Sequence, residues 1–134
     1  MLSGRINPGG KMPITFPRIS AQCPVYYGHK AGSGYVDIKQ QPIKGVLQPL
    51  YPFGHGLSYS CFEIDVLEIQ PSVAIGDSFT ASVQVKNTGD VAGDEVVQLY
   101  TRTQQPTVVR PVKELRAFQR VSLQPGERAR VPCT

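Results

Sequence analysis

From Phe62 onward the apolar residues recur at every second position, and this period constrains the chain more than any other feature. In SFTASVQVK, Phe79, Ala81, Val83 and Val85 share one face, while Thr80, Ser82, Gln84 and Lys86 share the other. A helix needs a period near 3.6, so the segment reads as a strand with one buried face. DEVVQLYTRT repeats the pattern, with Val97 and Leu99 on one side and Val96, Gln98 and Tyr100 on the other. Between the two runs, NTGD supplies turn chemistry, with Gly89 available for a positive φ. VSLQPGERARVPC predicts two further short strands around a Pro125-Gly126 turn. In FEIDVLEIQ the apolar parity flips between Val66 and Leu67, which predicts a bulge or burial of both faces. Strands at this spacing, with no helical period between them, make an antiparallel β-sandwich, mainly β and about two strands short of the usual seven.

Residues 1–60 have a different character. MPITFPR predicts one short strand, and Gly, Pro, Tyr and polar residues then run to about position 50. The chain has 13 glycines and 12 prolines in 134 residues, above the roughly 12% combined average, which favours turns and connectors over long helices. An extended, loop-rich stretch of this length is expected to lie against something larger. It ends in LYPFGHGLSYS, residues 50–60, too Gly-rich for a helix and too irregular for a strand.

Charge and cysteine usage exclude several classes. The net charge of +4 is concentrated in Arg110, Lys113, Arg116, Arg120, Arg128 and Arg130, faced by Glu114 and Glu127. Spread along alternating strands, these residues read as a wet face, so no nucleic-acid partner is expected. No apolar run approaches the ~18 residues of a membrane span, and MLSGRINPGGK lacks the apolar middle of a secretion signal. The expectation is no membrane partner, with either a cytosolic chain or an N-terminus lying upstream of Met1. The compartment stays open. Cys23, Cys61 and Cys133 are odd in number and form no CxxC pair, which argues against a disulfide framework or a zinc site.

Each chemical candidate has a plainer reading beside it. GRINPGGK resembles a phosphate-binding loop, but Arg5 stands where a glycine is required and Met12 replaces the Ser or Thr, so a turn before a strand is expected. Cys61 with His55, or Cys23 with His29, could pair on paper, yet nothing orients a third group and small buried thiols are commoner. Glu63 and Asp65 have the spacing of a retaining glycosidase's carboxylates, about 5–5.5 Å, but alternate with Phe62 and Ile64 as a solvated face does. His29 and His55 lie in different loops without a carboxylate at ligand spacing, so no metal and no cofactor are expected. Tyr26, Tyr27, Tyr35, Tyr51, Phe53 and Tyr59 could form a sugar-stacking platform, and packing anchors are the favoured reading.

Taken in order, GRINPGGKMPITFPR, CPVYYGHK, PLYPFGHGLSYSCFE, VKNTGDVAGDEVVQLYTR and RPVKELRAFQRVSLQPGE resemble the C-terminal end of family 3 glycoside hydrolases, especially bacterial β-glucosidases. The resemblance covers nearly the whole chain. It implies that residues 1–60 are the tail of an α/β sandwich domain plus a connector. Residues 61–134 would then be an incomplete, fibronectin type III-like (immunoglobulin-like) β-sandwich. Tyr51, Pro52, Phe53, Gly54, Gly56 and Tyr59 are then expected at an interdomain joint, where glycines permit tight turns and rings pin the segment. The family's catalytic Asp and Glu lie in motifs that do not occur here, so no catalytic residue transfers to this chain. The implied partners are the catalytic domains of the parent glycosidase, in cis or as a split chain, with weak carbohydrate contact. The family pattern continues for two more strands beyond ARVPCT. Their loss predicts an exposed edge near residues 95–102, open to self-association.

Overall fold

The computed structural model describes residues 3–30 and 48–134, and the expectations attached to Tyr35 and to the rest of 31–47 lie outside them. Five strands follow in order: β1 (Phe62–Ile69), β2 (Ala81–Asn87), β3 (Gly93–Thr101), β4 (Glu114–Leu123) and β5 (Arg128–Cys133). Three of them form a sheet in the order β1-β2-β5, and β3 pairs with β4 in a second sheet. β2 is antiparallel to both neighbours, with Val85 opposite Ile64 on one side and Ala129 on the other. The strand near 95–102 therefore keeps β4 as a neighbour. β4 itself is longer than expected and begins at Glu114.

In β2, β3 and β5 burial follows the alternation in the sequence, except that Ser82, expected on the wet face, is buried at 7% exposure. Val85, Val97, Leu123, Val131 and Cys133 form the core, contributed by β2, β3, β4 and β5, with Phe62, Val83, Leu99, Ala117, Val121 and Ala129 packed around them. Burying each large apolar side chain contributes about 1.5–3 kcal/mol, so five residues make a small core whose members matter individually. Arg110, Lys113, Arg116, Arg120, Arg128 and Arg130 are all exposed, as a wet face requires.

β1 carries the irregularity that the parity flip announces. Its register with β2 shifts between Asp65 and Glu68, one extra residue on β1. Of the two expected outcomes the bulge holds and double burial does not, since Ile64 and Leu67 stay 51% and 61% exposed. Beyond the bulge the three strands are tied by a polar link. Arg130 on β5 reaches Glu68 on β1 and donates to Ser82 Oγ on β2 at 3.0 and 3.1 Å.

Two turns close the sandwich. Glu127 N–H donates to Gln124 C=O at 3.0 Å, and Gly126 at φ 77° occupies the left-handed position that follows Pro125. The second turn departs from expectation. Gly89 does not adopt a positive φ; a Cβ there would lie 2.8 Å from the Cys61 backbone nitrogen, so close approach is what demands glycine. Beside it Asn87 is fully buried. Its Nδ2 donates to Val91 C=O (2.9 Å) and Leu123 C=O (3.1 Å), and its Oδ1 accepts from Gly89 N–H (3.0 Å). One side chain thus joins β2, the turn and the end of β4.

Upstream, MPITFPR is not a strand. Only Phe16 makes a bridge, to Tyr51, because the segment has a single short partner rather than a sheet to join. A 3₁₀ turn covers Ser20–Gln22. The described chain divides into two compact units: Met1–Gly10 with Gly56–Leu99 and Ala117–Thr134, and Lys11–His55 with Tyr100–Arg116.

Candidate functional site

The stretch 51–55 is a turn knitted to the segment before it. His55 N–H donates to Pro52 C=O at 3.1 Å, with Gly54 at φ 80°, a conformation that L side chains resist. The turn is then held edge-on. Met12 N–H donates to His55 C=O (2.7 Å) and Gly54 N–H to Met12 C=O (2.8 Å). Phe16 N–H donates to Tyr51 C=O (2.8 Å), and Leu50 N–H returns to Phe16 C=O (2.9 Å). These backbone hydrogen bonds, made outside any sheet, fix the loop's shape.

The rings stack on one another. Phe53 lies on Tyr27 with centroids 4.2 Å apart and planes 18° from parallel, and Tyr27 meets Tyr100 edge-on at 6.4 Å. Lys113 Nζ stands 4.7 Å over the Tyr100 ring, a cation–π contact. Burial and, secondarily, the neighbouring Tyr27 hydroxyl raise the Tyr100 pKa above its ordinary value. Tyr51 stacks on His55 at 5.2 Å. A cavity of about 290 Å³ opens here, lined by Tyr27, His29, Gln48, Pro52, Phe53 and Lys113 among others. The stacking occupies one face each of Tyr27 and Phe53, which face one another rather than presenting one flat platform. Tyr26 and Tyr59 remain 59% and 55% exposed.

Gly56 and Tyr59 belong to the sheet-bearing unit. There Tyr59 N–H donates to Asn7 Oδ1 at 2.8 Å, and Ser58 Oγ donates to the same oxygen at 2.8 Å. Asn7 Nδ2 donates to Ala92 C=O at 2.9 Å. Asn7 sits in the GRINPGGK segment, which forms a turn around Gly4 at φ 74°. Neither Asn7 nor Asn87 stood out in the sequence. An Asn inside a turn-rich run is the one local signal for such a role, and it does not name the partners.

Glu63 and Asp65 are both exposed, and Glu63 faces a row of cations. Glu63 lies opposite Lys86, which lies opposite Arg128, and Asp65 lies opposite Gln84. This is a cross-strand charge ladder on a wet face. Cys61 and Cys23 are exposed, whereas Cys133 is buried in the core, where desolvation raises its thiol pKa. Among the described residues no group of three or more His, Cys, Asp or Glu could hold a metal ion.

The profile of the fibronectin type III-like domain matches residues 95–134, and with the two facing sheets it defines the class: a fibronectin type III-like antiparallel β-sandwich. The chain is 42% identical over 139 residues to the periplasmic β-glucosidase of Salmonella typhimurium, covering 98% of this chain and 18% of that protein. It is 43% identical over 131 residues to a β-xylosidase of Formosa agariphila, covering 95% and 18%. The solved β-glucosidase of Listeria innocua in complex with glucose superposes at TM-score 0.85 with 39% identity, over 98% of this chain and 19% of that one. The chain spans less than a fifth of each of these three relatives. It corresponds to a C-terminal section of the β-glucosidase-like family 3 glycoside hydrolases, the section with the fibronectin type III-like domain.

Proposed function

We propose that this chain is a non-catalytic bracing module of a β-glucosidase-like glycoside hydrolase, whose other domains hydrolyse O-glycosyl bonds. Residues 1–60 serve as tail and connector and 61–134 as the sandwich. Tyr51, Pro52, Phe53, Gly54, Gly56 and Tyr59 act as the joint. The observation that carries this reading is that one of the four places where the chain passes between the compact units falls between His55 and Gly56, inside the Tyr- and Gly-rich stretch. Hydrogen bonds hold each half of the stretch within its own unit, a joint's arrangement rather than a ligand's. The position of Glu63 and Asp65 on an exposed strand face, with Glu63 opposite Lys86, also supports a module without its own hydrolytic pair. Self-association through the edges of the two-stranded sheet belongs to the same proposal for the isolated chain.

The test is hydrolysis of an aryl β-glucoside by the purified chain, expected at the buffer rate. Turnover that survives repurification and is abolished by mutating a residue of this chain would sink the reading. A second reading, an independent carbohydrate-binding module, is favoured by the cavity beside Tyr27, Phe53 and Lys113. Retention of the chain on insoluble glucan, lost on Phe53→Ala, would establish it.

A further inference from the structure

The cavity beside the stacked rings lies wholly within one compact unit and is walled by four stretches of it. Val112 N–H donates to His29 C=O at 3.0 Å and Lys30 bridges Pro111, which brings His29 and Lys113 to the same cavity. Gln22 Nε2 donates to Gln48 C=O at 3.2 Å and holds the backbone of a third lining residue. Phe53 on Tyr27, and Tyr27 against Tyr100, fix the ring wall. The backbone under each polar lining residue is thus held before a ligand arrives, which lowers the ordering cost of binding.

Charge then narrows the ligand. Lys113 is the one Lys or Arg lining the cavity, and no carboxylate lines it. Its Nζ rests 4.7 Å from the centre of the Tyr100 ring, and it makes no ion pair among the described residues. A ring face attracts an ammonium but does not replace an oxygen acceptor for its three N–H donors, so the position favours a carboxylate. The volume, about 290 Å³, is at the lower end of small-ligand sites and accommodates one ring. The walls at Phe53, Tyr27 and Pro52 are apolar, as the C–H face of a pyranose requires, and His29 and Gln48 offer hydrogen bonds to hydroxyls.

We infer that this cavity takes a sugar acid, a hexuronate whose carboxylate pairs with Lys113 and whose ring lies on the apolar wall. This ligand class rests on the carbohydrate-binding reading and narrows it to anionic sugars.

The test titrates the purified 134-residue chain, at low ionic strength, with D-glucuronate, D-glucose and benzoate. Amide NMR signals of Gly28, Gly54 and Val112, each next in sequence to a lining residue, report binding. Glucuronate is expected to bind roughly tenfold or more tighter than glucose, the size of one hydrogen bond to a charged group. Lys113→Met should remove that preference and Lys113→Arg should keep it, with the β2 signals unmoved in both. Equal binding of glucuronate and glucose overturns the anionic class and leaves the carbohydrate reading standing. Benzoate binding as tightly as glucuronate overturns the sugar. A preference for glucuronate that survives Lys113→Met puts the anion elsewhere and overturns this site. If none of the three binds, the site is overturned, and retention on insoluble glucan decides the broader reading by itself.

Discussion

The sandwich core and the Pro52–His55 turn both gather apolar side chains, but they are held by different forces. In the core, Val85, Leu123 and Val131 are almost wholly buried between sheets whose strands lie far apart in sequence. In the turn, the backbone is fixed by hydrogen bonds to Met12 and Phe16 while Phe53 is only half-buried and Tyr51 is 42% exposed. The first arrangement derives its free energy from excluding water. The second fixes a shape and leaves ring surface available, which suits a joint. The difference predicts a graded response to mutation: removing core volume should unfold the chain, whereas removing a ring from the turn should loosen it locally.

Leu123→Ala should have the largest effect, about 3 kcal/mol of unfolding free energy, because the cavity it leaves opens at the centre of the small core. Denaturant midpoints measure it. A loss below about 1 kcal/mol would mean that the core is loosely packed and the contrast with the turn too sharply drawn. Next, Asn87→Ala should cost about 2–3 kcal/mol, since Val91 C=O, Leu123 C=O and Gly89 N–H all lose a buried partner. If Asn87→Ala matches a surface substitution, water must replace all three bonds, and the polar hub is not structural.

Phe53→Ala should cost about 1–2 kcal/mol, less than the ~3–5 of a fully buried Phe, because one ring face is stacked and the other is partly wet. Faster hydrogen exchange at Gly54 and His55, with protection in β2 unchanged, would confirm that the turn opens alone. A cost under about 0.5 kcal/mol would end the anchoring idea. Gly126→Ala should cost about 1 kcal/mol, purely through its positive φ, since nothing lies within 4 Å of the added Cβ.

The smallest effect concerns pH. The Tyr100 pKa is raised in the folded chain, so the unfolded chain loses this proton first as pH rises. The stabilisation from this burial is therefore complete below the ordinary tyrosine pKa of about 10 and fades as pH climbs through the raised value. Tyr100→Phe should flatten the fall in stability above about pH 10, as read by melting curves. An unchanged slope would place the Tyr100 hydroxyl in water.

Much of this molecule is local information. The period of two is set by the geometry of a single strand, so Ala81, Val85 and Val97 could be assigned to the buried face without knowing any neighbour. Gly126 could be assigned to its turn because Pro125 beside it presets the first corner. The flip at Val66 and Leu67 likewise announced the bulge on β1. In the proposed joint, the rings and glycines of 51–59 were legible as a cluster.

Their partners were not legible, because a partner is a matter of approach between distant segments. Nothing near Tyr51 specifies Phe16, and nothing near Phe53 specifies Tyr27. MPITFPR has the residues of a strand but acquires only one bridge, since strand propensity is realised only where a neighbour offers a ladder. Gly89 and Asn87 show the same division within one turn. Their sequence, NTGD, determined that the chain would reverse there. Only the tertiary structure decided that Gly89 must be small, because Cys61 comes to lie against it. The burial of Asn87 is decided the same way, because the end of β4 and the following loops close over its amide.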